Sequence, residues 1–335
     1  MKKERIDTVR LQTLAMGFWQ SASLMSAIEL GLFTAVSKGA GTATEISTTI
    51  GISKRNADRL ATVCHAMDLL RTGTDGRYHN ASDVEKFLVE GEPGYAGPWM
   101  LFTKPRWEKF GGLTEYLRRP EETILGQYEG LTVDAARKMH EATYSVGMGA
   151  ARRFVRQVDL SKRKKIVDLG GGSGAYSITA AKAHPHLEAV VFDLPPVAEV
   201  AREYIIEHGV ASQVSAICGD FTADDFPTDC DVAIMASNLP LYSQEIIAQV
   251  IRRTFEALVT GGEMHLIGET LQDDRSGPIG PALWGLAEAI NGSTGMAHTE
   301  ADCISYFEVA GFESVTAYEF IPGTLSRIVG TKPGG

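Results

Sequence analysis

The chain has 335 residues, 44% hydrophobic and 22% charged, with a formal net charge of −10. That mix describes an ordinary globular protein with a core of normal size and room for one large or two ordinary domains. The acidic balance repels nucleic-acid phosphate and suits a small-molecule partner, and no apolar run approaches the roughly 18 residues of a membrane span.

The charged start, Met1-Lys2-Lys3-Glu4-Arg5, is not followed by an uninterrupted apolar run, so no signal peptide is expected. Residues 8 to about 160 read as mainly helical. A first helix is predicted over 8–26, continued by helical spacing of apolar residues over 28–36. A second helix is predicted over about 54–70, with Ala57, Leu60, Val63, Cys64 and Met67 as its core stripe. Residues 71–79 follow with the hairpin-turn signal Asp75-Gly76. Short helix, turn, longer helix and hairpin is the order of a winged helix, assigned to 1–92. A DNA-reading second helix would use Lys54, Arg55 and Arg59; the core stripe and the acidic charge favour a structural or dimerisation module. Residues 93–160 form a helical block punctuated by Pro93, Pro98, Pro105 and Pro120. It holds Trp99, Met100, Leu101, Phe102 and Trp107, then a helix over about 133–158 with Met139, Tyr144, Met148 and Phe154. Such residues serve either as core or as the wall of an apolar acceptor pocket.

Residues 161–335 alternate short apolar runs with amphipathic stretches, the pattern of βαβ units and a mostly parallel sheet. Lys165-Ile166-Val167-Asp168-Leu169 reads as a buried strand, with glycines after it and a helix from near Ala175. A glycine loop between strand and helix lets backbone N–H groups approach a ligand, here through Gly170, Gly172 and Gly174. The run 189–192 ends in Asp193, placed to accept both hydroxyls of an adenosyl ribose. Gly170, Gly172 and Ala175 also fit the dinucleotide fingerprint, so an NAD enzyme stays open at this point. Three features favour S-adenosylmethionine (SAM). Asp168 lies two residues before the first glycine, within reach of the methionine part. Gly219-Asp220-Phe221 follows a third strand-like run and suits adenine. Gly261-Gly262 stands between a helix over 244–258 and an apolar run over 264–267. The four cysteines, Cys64, Cys218, Cys230 and Cys303, form neither a CxxC pair nor a zinc-spaced cluster; they read as buried, reduced thiols of a cytoplasmic protein, with no metal site.

Val167-Asp168-Leu169-Gly170-Gly171-Gly172-Ser173-Gly174, Asp193-Leu194-Pro195, Gly219-Asp220-Phe221, Gly261-Gly262 and Ala310-Gly311-Phe312 together resemble the class I SAM-dependent methyltransferases of the caffeate/hydroxyneurosporene O-methyltransferase type. The resemblance spans nearly the whole chain. It implies an α/β protein: a C-terminal Rossmann-like SAM-binding fold with a mostly parallel seven-stranded sheet, and an N-terminal, mainly helical, winged-helix-like dimerisation region. It also implies a homodimer, a small-molecule acceptor, and no nucleic-acid or membrane partner. By the same resemblance Asp193 holds the ribose, Asp220 and Phe221 the adenine, and Asp168, Gly170 and Gly172 the methionine end, with Leu194 and Ser237 as further cofactor contacts.

The family carries a His base after its fourth strand. Matching Tyr242-Ser243 to the family's Tyr-Ser puts Pro240 at that place. His298 stands at a position near the acceptor that is often Arg in the family, as a lining residue or a substitute base, whereas His65, His79, His184, His186, His208 and His265 lie in segments that look distant. A phenol or alcohol needs its proton removed; a thioether does not. The missing base therefore favours a sulfur acceptor, such as the 4-methylthio-2-hydroxybutyrate S-methylated by similar bacterial enzymes on the way to dimethylsulfoniopropionate. Tyr144 and Tyr242 are then the catalytic candidates, with Trp107 and Trp284 as further aromatic faces for a cation. Phe102, Arg106, Met139, Trp284, Glu288, Asn291 and His298 are the substrate-binding candidates, with Lys104 and Lys138 beside Arg106 as carboxylate anchors. An O- or C-methyltransferase of a pigment or polyketide, and a SAM-sensing DNA-binding regulator, remain as alternatives.

Overall fold

The computed structural model describes residues 6–119 and 122–334. The charged start Met1–Arg5 and Pro120, on which two expectations fall, lie outside the described residues. The chain divides into two units, 1–105 and 106–335, so the block expected over 93–160 is shared between them.

In the first unit the helix expected over 8–26 is two helices, Val9–Ala15 and Gly17–Glu29, separated at Met16 just before a helix-weakening glycine. Leu32–Ser37, Ala43–Ile50 and Lys54–Ala66 follow. Thr42 and Glu45 cap the fourth of these helices reciprocally, and Ser53 caps the fifth. The fifth ends earlier than expected because Leu70, fully buried, is drawn into a hairpin: β1 (Leu70–Thr72) pairs antiparallel with β2 (Tyr78–Asn80), Leu70 opposite Asn80. Gly76 supplies the left-handed backbone of the turn at φ 72°. Ala57, Ala61 and Cys64 pack on Phe33, Ile46 and Leu70. Helices Ser82–Phe87 and Gly97–Leu101 complete the unit.

The second unit is built on one sheet of order β5-β4-β3-β6-β7-β9-β8. The strands are β3 (Lys165–Leu169), β4 (Glu188–Asp193), β5 (Val214–Cys218), β6 (Cys230–Ala236), β7 (Leu258–Gly268), β8 (Glu313–Ile321) and β9 (Leu325–Thr331). The first five in sheet order are parallel; β9 runs antiparallel to both β7 and β8. The apolar runs of β3, β4 and β6 are buried because helices cover the sheet. The chain winds outward from β3 through β4 to β5, then returns to β6 on the other side of β3. That reversal opens a crevice beyond the carboxyl ends of β3 and β6, where ligands bind in doubly wound sheets.

Two expectations are corrected here. Gly261-Gly262 does not precede β7 but lies inside it, in a bulge where the register with β6 shifts between Cys230 and Val232. Gly261 there accepts from Arg163 Nη1 at 3.0 Å, at the amino end of the strand and away from the crevice. Cys64, Cys230 and Cys303 are buried, but Cys218 is exposed because β5 is an edge strand.

Candidate cofactor and acceptor site

The loop after β3 turns through three glycines with φ of 62°, 60° and 74° at Gly170, Gly172 and Gly174, which only glycine adopts without strain. Space demands glycine as well. A β-carbon on Gly170 would lie 2.6 Å from Asn238 Nδ2 and 2.8 Å from Phe221 Cε1. One on Gly172 would lie 2.6 Å from His140 Cε1. Asn238, just past β6, reaches the carbonyls of Leu169, Gly170 and Ala236, which ties the two strand ends at the reversal.

Three acids surround this loop. Asp193, at the end of β4, accepts from the Gly172 and Leu194 amides, each at 2.8 Å. Burial, against those two bonds, raises its pKa to about 7, and the nearby Asp168 and Asp220 charges add to the rise. Asp168 lies beneath the loop, fully buried; its Oδ2 accepts from Ser177 Oγ at 2.8 Å, while its Oδ1 has no partner. Burial raises its pKa to about 6. Asp220 follows β5 and accepts from the Thr222 amide and hydroxyl. Phe221 beside it is buried and meets the Tyr242 ring edge-on at 5.2 Å. Asp168, Gly170, Gly172, Asp193, Leu194, Asp220 and Phe221 are thus gathered at one crevice. Ser237 stands at its edge, exposed and in the left-handed region at φ 63°.

The helix Ile279–Asn291 carries three of the residues expected to bind the acceptor. Trp284, Glu288 and Asn291, at spacings of four and three, share one face. Glu288 is buried and both its oxygens are taken, by Asn291 Nδ2 at 2.9 Å and Ser293 Oγ at 2.5 Å. The Arg106 guanidinium stands 5.7 Å from the Trp284 ring centre and 3.4 Å from Gln127 Oε1. Its charge opposes the burial that raises the Glu288 carboxyl. Tyr128 ends a 3-10 turn, Gly126–Tyr128, docked on the end of that helix through Thr123 and Gly292 at 2.9 Å. Burial, with Glu288 and Asp193 nearby, pushes its hydroxyl up to about 12. Tyr242 is raised well above its ordinary value by burial, with Tyr128, Asp193, Asp220 and Glu288 adding to it, so it stays a neutral donor at physiological pH.

Pro240 is buried in the turn Leu239–Leu241 after β6. Beside this turn, at the carboxyl end of β7, comes Glu269. Gly268 abuts Leu239: a β-carbon there would lie 3.0 Å from Leu239 Cβ. Glu269 is half-buried and accepts from the Trp284 side chain; burial raises its pKa to about 7 and that bond opposes the rise.

The other expected residues have these surroundings. Tyr144 stacks on Tyr204 at 4.4 Å and bonds His208, beyond the end of the helix Pro195–Glu207. Its ring and hydroxyl are thus taken up by Tyr204 and His208, not by the acids around the loop. His298 is fully buried: its Nε2 donates to the Tyr242 carbonyl and its Nδ1 accepts from Tyr306 Oη, both at 3.0 Å. With both nitrogens engaged it braces Tyr242 and is no base. Lys104 pairs with Glu29 in the first unit. Phe102 also belongs to the first unit, stacked on Trp99 at 5.4 Å. Met139 is half-buried on the long helix Val133–Gln157. Sequence reasoning missed His140, Tyr128, Asn238 and Glu269. Only Glu269 and Asn238 carried a signal, as polar residues one and two positions past the ends of neighbouring parallel strands.

A doubly wound sheet with a glycine cradle and buried acids at its reversal defines a nucleotide-cofactor enzyme, and the cradle and the unpartnered Asp168 oxygen fit the zwitterionic end of SAM. Residues 128–313 match the O-methyltransferase domain and residues 12–90 the O-methyltransferase dimerisation domain. The chain is 32% identical over 332 residues to the 3-hydroxy-5-methyl-1-naphthoate 3-O-methyltransferase of Streptomyces sahachiroi, covering 96% of this chain and 94% of that one. It is 31% identical to the tetracenomycin polyketide synthesis 8-O-methyl transferase TcmO of Streptomyces glaucescens, over 96% and 95% of the two chains. Its fold is similar to that of human N-acetylserotonin methyltransferase, solved in complex with SAM, at a TM-score of 0.81, 22% identity and full coverage of both. The chain belongs to the O-methyltransferase family, and SAM is its methyl donor. Enzyme membership displaces the regulator and NAD alternatives.

Proposed function

We propose that the protein methylates a hydroxyl of a small aromatic acceptor, with Glu269 receiving the proton. The observation that carries this reading is the position of Glu269: half-buried at the end of β7, beside the turn that holds Pro240, with Trp284 donating to it. SAM supplies an electrophilic methyl on a sulfonium; the chain must add alignment and a place for the acceptor's proton. Glu288 is already held by a donor on each oxygen, His298 has both nitrogens engaged, and Tyr242 stays protonated. Glu269 keeps accepting capacity, and at about 7 its pKa comes within about three units of a phenol near 10. The two Streptomyces relatives, named for O-methylation on a naphthoate and in polyketide synthesis, support an aromatic acceptor.

The test is turnover with SAM on hydroxynaphthoates. Glu269→Gln should lower kcat by about 10²–10⁴ while SAM binding holds. Absence of turnover on every hydroxyaromatic, with turnover on 4-methylthio-2-hydroxybutyrate, would overturn it.

That outcome belongs to a second reading, favoured by Pro240. Thioether S-methylation needs no proton acceptor, and Arg106 beside Trp284 would anchor the acceptor carboxylate. The exposed Leu14, Phe18 and Trp19 on the first two helices, within the span matching the dimerisation domain, support a homodimer. Light scattering at twice the chain mass is the expected result.

A further inference from the structure

Two buried polar atoms without a hydrogen-bond partner flank the glycine loop on different sides: Asp168 Oδ1 and His140 Nε2. A β-carbon on Gly171 would come within 2.6 Å of Asp168 Cγ; one on Gly172, within 2.6 Å of His140 Cε1. The loop therefore runs between a carboxylate and an imidazole, and glycine at both places lets them approach. Leaving such atoms unpaired is costly, so each points to a group that arrives later.

The long helix Val133–Gln157 holds the imidazole rigidly. Ala136, one turn before His140, packs on Val197 and Val200. Two turns after it Gly147 passes Ala175, 3.5 Å from where its β-carbon would be. Met148 accepts from Thr179 on the helix that follows the loop. His140 is thus fixed against both helices that rise from the cofactor-binding strands, in the manner of a preorganised site.

The polarities of the two atoms differ. A carboxylate oxygen only accepts; a neutral imidazole offers one N–H. Burial holds the His140 pKa down at about 4, so the ring is neutral and adds no cation beside a sulfonium. An acceptor and a donor on either side of one turn match a zwitterion. With Asp168 at the ammonium, as the family resemblance implies, we infer that His140 binds the other pole of the SAM amino-acid end, donating from Nε2 to its carboxylate. The acceptor plays no part in this, so the inference stands apart from the choice between hydroxyl and thioether.

Calorimetry on the full chain decides it with two probes: S-adenosylhomocysteine, and its decarboxylated analogue S-adenosyl-3-thiopropylamine, which keeps the ammonium. The wild type should prefer the first by about 10- to 100-fold, the range of a hydrogen bond to a charged group. His140→Ala should abolish that preference by weakening S-adenosylhomocysteine alone, and His140→Gln, which keeps an N–H, should restore part of it. Asp168→Asn should weaken both probes. The Nε2 resonance of His140 should shift with S-adenosylhomocysteine and not with the amine. Equal loss of both probes in His140→Ala, or wild-type affinity in that variant, overturns the assignment. Should the alanine variant fail to fold, a wild type that binds both probes alike overturns it equally.

Discussion

Replacing Gly170 by alanine separates two demands that the cofactor loop makes on one residue. Its φ of 62° places an added β-carbon in the left-handed region, at a cost of roughly 1–2 kcal/mol. The β-carbon also lands 2.6 Å from Asn238 Nδ2 and 2.8 Å from Phe221 Cε1. Neither neighbour yields cheaply. The Asn238 amide is tied to three carbonyls, and the Phe221 ring is buried against Tyr242. Overpacking of this kind costs roughly 1–3 kcal/mol more. Gly209, in the same unit, has a similar φ of 67° with nothing within 4 Å of its would-be β-carbon, so Gly209→Ala carries the backbone cost alone. Urea unfolding of both variants at one pH should show Gly170→Ala less stable than Gly209→Ala by about 1–3 kcal/mol. Calorimetry should show S-adenosylhomocysteine weakened at least about tenfold in the first and unchanged in the second, since a shift of about 1.4 kcal/mol suffices. Equal stabilities, with wild-type affinity in both, would refute the view that the loop is a filled cradle.

Asp193 has a folded pKa of about 7 against about 3.9 unfolded, so the native state holds the extra proton between those values. Its contribution to stability is present below pH ~4 and lost as pH rises through ~7. Asp193→Asn should therefore gain stability relative to the wild type across that window, a difference followed by denaturant midpoints; a difference flat in pH would contradict it. For the same reason wild-type affinity for cationic SAM should rise with pH through about 7, and that of Asp193→Asn should not. Trp284→Phe removes the bond that stabilises ionised Glu269, so the acid limb of kcat/KM, expected near 7, should move upward; Glu269→Gln should abolish it. Tyr144→Phe should leave kcat/KM within about twofold and lower stability by about 0.5–1.5 kcal/mol, because its hydroxyl serves His208. A hundredfold rate loss would return Tyr144 to the catalytic group.

The cofactor half was legible because its signals are local. Lys165–Leu169 with its glycines, and Asp193 closing β4, are each a strand followed by its own turn, and a parallel sheet carries such turns to one edge without further information. The acceptor half depends on contacts between distant segments. Ala136, His140 and Tyr144, each four residues apart, share one face of their helix; position along the axis separates them, His140 lying at Gly172 and Tyr144 one turn further on at Tyr204 and His208, and sequence alone does not give that docking. Gly261-Gly262 does stand between a helix and an apolar run, but only pairing with β6 shows that the strand already includes it, in a bulge. The search for a replacement for the base missing at Pro240 went to His298 and Tyr242 and passed over Glu269, which follows a different strand. The crevice has a second wall. β7 lies beside β6, and its carboxyl end delivers Glu269 to the same turn from the neighbouring strand. A parallel sheet offers every strand end at a reversal as a place for a catalytic group. Losing one at Pro240 therefore does not empty the crevice of carboxylates, and Glu269 is the one that the proposed hydroxyl chemistry calls on.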